Sequence, residues 1–133
     1  MSRVQLALNV DDLDASIAFY SALFATEPAK VRPGYANFAV AEPPLKLVLI
    51  ENPGAGGSLN HLGVEVEDVS QVDAEQTRLS ASGLASIDQR GTTCCYAKQD
   101  KFWVKGAPNG ERWEIYTVLE DADTMYGDAA CCA

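Results

Sequence analysis

The feature that most constrains the fold is an internal repetition. "QLALNVDD" (residues 5–12) aligns with "HLGVEVED" (residues 61–68) at a shift of 56 residues. Leu6 matches Leu62, Val10 matches Val66 and Asp12 matches Asp68. A repeat at that spacing in a chain of 133 residues predicts two copies of one folding unit. In the first copy Leu6, Leu8 and Val10 alternate with Gln5, Ala7 and Asn9, the period of a strand packed on one side. The period then changes. Leu13, Ile17, Tyr20, Leu23 and Phe24 recur at helical spacing behind Asp11 or Asp12, either of which can cap the first turn. In the second copy Asp68 and Gln71 read as a capping box, with Val69, Val72 and Leu79 on one helical face.

Each helix is followed by extended runs. In the first copy these are "KVRP", "YANFAVA" and "LKLVLIE", with "EPPL" as a turn; in the second they are "LASIDQ", "KFWVKG" and "RWEIYTV", with "APNGE" as a turn. The prediction is an α+β fold built from two βαβββ units. Residues 1–52 form the first unit and residues 53–59 a flexible Gly-rich linker. Residues 60–118 form the second unit, and the acidic, small-residue tail 119–133 extends beyond the core as a mobile segment.

Net charge decides against several partner classes. At −9, with an isoelectric point near 4.4, the chain lacks the clustered Lys and Arg that phosphate backbones and anionic membranes require, so no nucleic acid or membrane partner is expected. No run approaches the ~18 apolar residues of a membrane span, and "MSRVQLALNV" lacks a secretory pattern. A cytoplasmic protein, monomeric or homodimeric, is the expectation.

The duplicated unit resembles the vicinal oxygen chelate superfamily, also called the glyoxalase and bleomycin-resistance superfamily, over about residues 3–118. The resemblance implies paired units whose mixed sheet curves into a cup with a divalent metal at its base. Ligands in that superfamily come from the first and last strands of each unit, and the aligned candidates are Gln5, His61 and Glu114. The fourth position falls on Leu47, which cannot ligate. An imidazole, a carboxylate and an amide oxygen on one side of an octahedral ion make a variant of the facial triad and favour iron(II). A lone histidine is usually a hydrogen-bonded core residue; its repeat position opposite Gln5 sets His61 apart. Extradiol ring-cleaving members use two histidine ligands and glyoxalase I members a carboxylate where this chain has Leu47, so with His61 as the only histidine the resemblance disfavours both activities.

"RGTTCCYAKQD" adds a second signal, two adjacent cysteines, Cys94 and Cys95, in a polar, loop-like run. Neighbouring Cα atoms sit about 3.8 Å apart, below the usual disulfide separation, so the pair reads as two thiols. Arg90, Lys98 and Lys101 nearby can favour thiolates. Two soft donors suit a thiophilic centre, and a trivalent arsenic bearing one carbon substituent has two valences left for sulfur.

With "NHLGVEVEDV", "TTCCYA", "RWEIY" and "RPGYANFA" in order, the chain is similar to the iron(II)-dependent carbon–arsenic lyases of the superfamily. That resemblance implies a dioxygen-dependent, non-haem iron enzyme that cleaves trivalent organoarsenicals such as methylarsenite or aromatic arsenicals and releases arsenite. Gln5, His61 and Glu114 would bind Fe(II), and Cys94 and Cys95 would capture the arsenic and carry it towards the metal. Cys131 and Cys132 are candidates for an accessory metalloid site. Proteins of this kind also carry the description cadmium-induced. The rival readings are a thiol-based cadmium or arsenic sequestration protein, a drug-binding module of the bleomycin-resistance kind, and a thiol transferase acting on an epoxide antibiotic.

Overall fold

A computed structural model describes residues 2–126 of the chain. The chain divides into two units, Arg3–Leu62 and the residues from Gly63 onward.

The first unit contains β1 (Arg3–Val10), α1 (Leu13–Phe24), β2 (Lys30–Arg32), β3 (Tyr35–Val40), β4 (Leu45–Glu51) and the start of β5 (Leu59–Glu65). Its strands run in the order β2-β3-β4-β1, antiparallel except that β1 pairs parallel with β4. The alternation of β1 explains its packing: Leu6, Leu8 and Val10 join Phe38, Leu47 and Leu49 in a core against Leu13, Ile17, Tyr20 and Phe24 of α1. Asp12 caps that helix by accepting from Ala15 N–H at 3.1 Å. Leu23, predicted on the packed face, is exposed.

The second unit completes β5 and adds α2 (Val69–Ala81), β6 (Ser86–Cys94), β7 (Ala97–Val104) and β8 (Trp113–Asp121), with β8-β7-β6 paired antiparallel. Val64, Val66, Phe102, Val104 and Ile115 pack against Val72 and Leu79 of α2. Asp68 accepts from Gln71 N–H, while the Gln71 amide oxygen accepts from Glu67 N–H at 2.6 Å, a capping box displaced by one residue. Among the described residues no helix is long and apolar enough to cross a membrane.

Two segments are more ordered than their composition predicts. In the Gly-rich stretch 53–59, Asp11 Oδ1 accepts from Gly54 N–H at 2.8 Å and Gly56 N–H at 3.1 Å, and β5 already begins at Leu59. A Cβ on Gly56 would press on the Asp11 carboxylate, which would have to turn aside from these amides. The expected tail also starts later: β8 runs on to Asp121, and Tyr126 bridges back to Cys94.

Candidate metal and thiol sites

Because β1 packs Leu6 and Leu8 on α1, Gln5 and Asn9 point to the opposite face, where both are buried. His61, only 2% exposed, places Nε2 at 3.2 Å from the Gln5 amide nitrogen. Its Nδ1 lies 2.7 Å from Asn60 Oδ1. The amide nitrogen of Asn60 donates to Asn9 Oδ1 at 2.9 Å, and that of Asn9 donates to Ser58 Oγ at 2.9 Å. This chain fixes which end of each amide faces which neighbour. Asn60 therefore presents an acceptor to Nδ1, the proton resides there, and the Nε2 lone pair faces Gln5. That is the tautomer a metal-ligating histidine needs. A half-turn of the Gln5 amide would bring its oxygen to the same place.

Glu114 lies in the second unit, on the face of β8 opposite Ile115 and α2. It is 3% exposed, its Oε2 stands 3.6 Å from Lys101 Nζ, and Lys101 is fully buried with its ammonium 5.0 Å from the Trp103 ring centroid. A carboxylate is rarely buried at such depth without a cation. Among the described residues no three histidine, cysteine, aspartate or glutamate side chains form a cluster. The imidazole nitrogen and amide oxygen of the first unit and the carboxylate of the second are each donor types that a borderline divalent ion accepts.

The predicted fourth position is corrected by strand register. Leu47 pairs with Leu6 and sits 1% exposed in the core under α1, on the opposite face from Gln5. Lys46, Val48 and Ile50 are the β4 residues that share the Gln5 face.

The cysteine run is not a loop. β6 continues to Cys94, β7 starts at Ala97, and Cys95 and Tyr96 form the two-residue turn between them, with φ of 54° and 60°. Both sit in the left-handed region that hairpin turns of this length require and that non-glycine residues adopt at a cost. Cys94 is buried and Cys95 half-buried, with their Sγ atoms 3.6 Å apart.

The turn is held from outside. Cys95 N–H donates to Met125 O at 2.7 Å, Tyr96 N–H to Thr124 O at 3.2 Å, and Ala122 N–H to Tyr96 O at 3.0 Å. Pairing irregularities interrupt the ladder between Gln89 and Thr92 and between Lys98 and Gln99, on either side of the hairpin tip.

The cations expected to activate the thiols are mostly engaged elsewhere. Arg90 binds Asp73 at 2.8 Å and Asp88 at 3.3 Å. Partial burial pulls its pKa down, but these carboxylates outweigh that and hold it above the usual guanidinium value. Lys101 faces Glu114. Ala97 marks the hairpin tip and Trp103 pairs with Glu114, so the six steps between them put the thiols about 20 Å along the sheet from Glu114 at roughly 3.3 Å per residue. Cys131 and Cys132 lie outside the described residues. The sequence reading missed Asn60, Asn9 and the buried role of Lys101. The only available signal was the recurrence of asparagine at positions 9, 52 and 60, beside a candidate ligand.

Residues 3–115 match the model of the Glyoxalase/Bleomycin resistance protein/Dioxygenase superfamily. The chain belongs to that superfamily. Within it, the chain is 68% identical over 125 residues to the cadmium-induced protein CadI of Mycobacterium tuberculosis (strain ATCC 25618 / H37Rv), covering 94% of this chain and 82% of the relative. It is 64% identical over 135 residues to the trivalent organoarsenical cleaving enzyme of Thermomonospora curvata, covering 99% and 89% respectively. In fold it is similar to the Mn(II)-bound glyoxalase of Novosphingobium aromaticivorans, with a TM-score of 0.60, 21% identity and coverage of 98% of this chain and 44% of that one. It is also similar to an H200C variant of homoprotocatechuate 2,3-dioxygenase from B. fuscum, with a TM-score of 0.62, 19% identity and coverage of 92% and 33%. The mixed sheet with few helices is the superfamily's α+β fold.

Proposed function

We propose that this superfamily member cleaves the carbon–arsenic bond of trivalent organoarsenicals, with Cys94 and Cys95 as the arsenic clamp and Gln5, His61 and Glu114 as ligands of an iron(II) ion. The observation that carries the reading is the pair of adjacent sulfurs 3.6 Å apart on a tight turn, a spacing one trivalent arsenic atom can bridge. The 64% identical relative named a trivalent organoarsenical cleaving enzyme supports the same chemistry. Iron(II), when bound, would supply the activation of dioxygen that thiols and carboxylates alone cannot.

The remaining steps belong to the chain's own residues. Both sulfurs bond to arsenic as thiolates, leaving the carbon substituent as the third group. Asn60 holds the His61 proton on Nδ1, so the opposite nitrogen is free of hydrogen and ready to ligate. Lys101 balances the Glu114 charge in the dry face of the sheet. The thiol turn lies about 20 Å from Glu114 along β7, so the captured arsenical has to be carried inward, and the ladder interruptions beside the hairpin tip are natural places for it to bend. For methylarsenite the balance is one dioxygen consumed and the carbon–arsenic bond broken, giving arsenous acid and formaldehyde.

The test is incubation of reduced, iron(II)-loaded protein with methylarsenite, in air and without oxygen, followed by arsenic speciation and formaldehyde assay. Arsenite and formaldehyde in equal amounts, in air alone, are expected. Tight arsenical or cadmium binding without either product would instead favour sequestration, the reading suggested by the cadmium-induced relative.

A further inference from the structure

Gln99 is buried on the thiol hairpin, 4% exposed, and the proposed chemistry gives it no task. Its amide nitrogen donates to the backbone carbonyl of Cys94 at 2.8 Å, a buried bond from β7 to the end of β6 where the turn begins. Among the described residues nothing donates to its amide oxygen, Oε1. A buried glutamine is normally bonded at both ends, because an unmet carbonyl gives up its hydration without return.

Position gives this half-satisfied amide a consequence. Gln99 pairs with Thr92 on β6 and Val118 on β8, and the ladder shifts directly beside each pair, between Gln89 and Thr92 and between Lys98 and Gln99. The tip that carries the cysteines is therefore joined to the regular sheet through irregular steps, where strands bend most readily. At that tip Cys95 and Tyr96, with φ of 54° and 60°, are held in a costly left-handed conformation. The main chain of Ala122, Thr124 and Met125 holds the turn from one side, and the Gln99 amide ties it to its own hairpin from another.

When the tip moves, the bond to the Cys94 carbonyl is lost, but water reaches Oε1, so one break is offset by one repair. We propose that Gln99 is a positioning residue, a latch that holds the thiol turn while arsenic is captured and opens as the turn swings towards Glu114. The proposal rests on the functional reading above and assigns its transport step to a side chain. An amide bonded at one end alone fixes the turn without locking it.

Hydrogen exchange of the full-length, metal-free protein tests it. In Gln99→Met, close to glutamine in shape, the Cys95 and Tyr96 amides should exchange about fivefold faster relative to those of Phe102 and Ile115, the worth of one net hydrogen bond. Gln99→Asn keeps an amide too short to reach Cys94 and should do the same. A general loss of stability would speed all four amides alike, and that outcome, or an unchanged ratio, overturns the latch. In turnover both variants should raise kcat for methylarsenite, while the arsenical affinity of the metal-free protein stays within about twofold of wild type. A faster-exchanging turn without a higher kcat overturns the place of Gln99 in transport. If the wild type releases no arsenite, the functional reading fails and the exchange ratio alone decides the latch.

Discussion

Asn60 Oδ1 stands 2.7 Å from His61 Nδ1, and the same side chain's nitrogen is committed to Asn9 Oδ1. The amide cannot turn without losing one of these bonds. Substituting Asn60 with Ala should weaken iron(II) or cobalt(II) binding by about 10–100-fold, the usual cost of removing the partner of a ligating histidine. Asn60→Asp keeps an acceptor at that point and should retain most of the affinity. Chelator competition measures both.

The Lys101–Glu114 pair, 0% and 3% exposed, should behave as a buried ion pair. Lys101→Met alone leaves a buried carboxylate without its cation and should destabilise the metal-free protein by about 3–5 kcal/mol, whereas combining it with Glu114→Leu should restore much of the loss. Urea unfolding of the two variants provides the comparison.

The distance between thiols and carboxylate predicts a clean separation of roles. Cys94→Ser with Cys95→Ser should reduce arsenical affinity by at least about 100-fold, because two of the three bonds to arsenic are lost. Iron content should stay that of the wild type. Glu114→Ala should show the converse: lowered iron content with arsenical binding retained.

Asp68 provides a pH prediction. The Ser70 hydroxyl at 2.6 Å, then the Gln71 N–H, hold its carboxyl below the ordinary value of 3.8. A carboxylate depressed in the folded state contributes stability that is complete above its unfolded pKa and lost as pH falls through its folded pKa. Melting temperature should therefore drop on the acid side of 3.8 more steeply for wild type than for Asp68→Asn, which keeps a capping oxygen and does not titrate.

Much of this architecture is legible in the sequence because it rests on periodicity. The alternation of Leu6, Leu8 and Val10 and the helical spacing of Ile17, Tyr20 and Phe24 each place one face against a core, and the structure packs these residues together. Parity between strands is less accessible. Aligning "KLVLIE" with "WEIYTV" selected Leu47, whereas the β1–β4 register puts Lys46 beside Gln5, and one residue of slip exchanges the two faces.

The hairpin escaped detection for a different reason. Arg90, Gly91, Thr92 and Thr93 carry no apolar alternation, and the turn uses Cys95 and Tyr96 where glycine or asparagine would signal it. Amide networks such as Asn9–Asn60–His61 depend on tertiary orientation and leave no periodic trace.

The backbone bonds from Cys95 to Met125 and from Tyr96 to Thr124 make the two ends of this region one exchange-protected patch. Their amide protons can reach deuterium only when the segment at 122–126 lets go, so the two should exchange at a common rate. Those two amides thus serve as an internal clock for how often the turn at Cys95 and Tyr96 is released, readable before any metal or substrate is added.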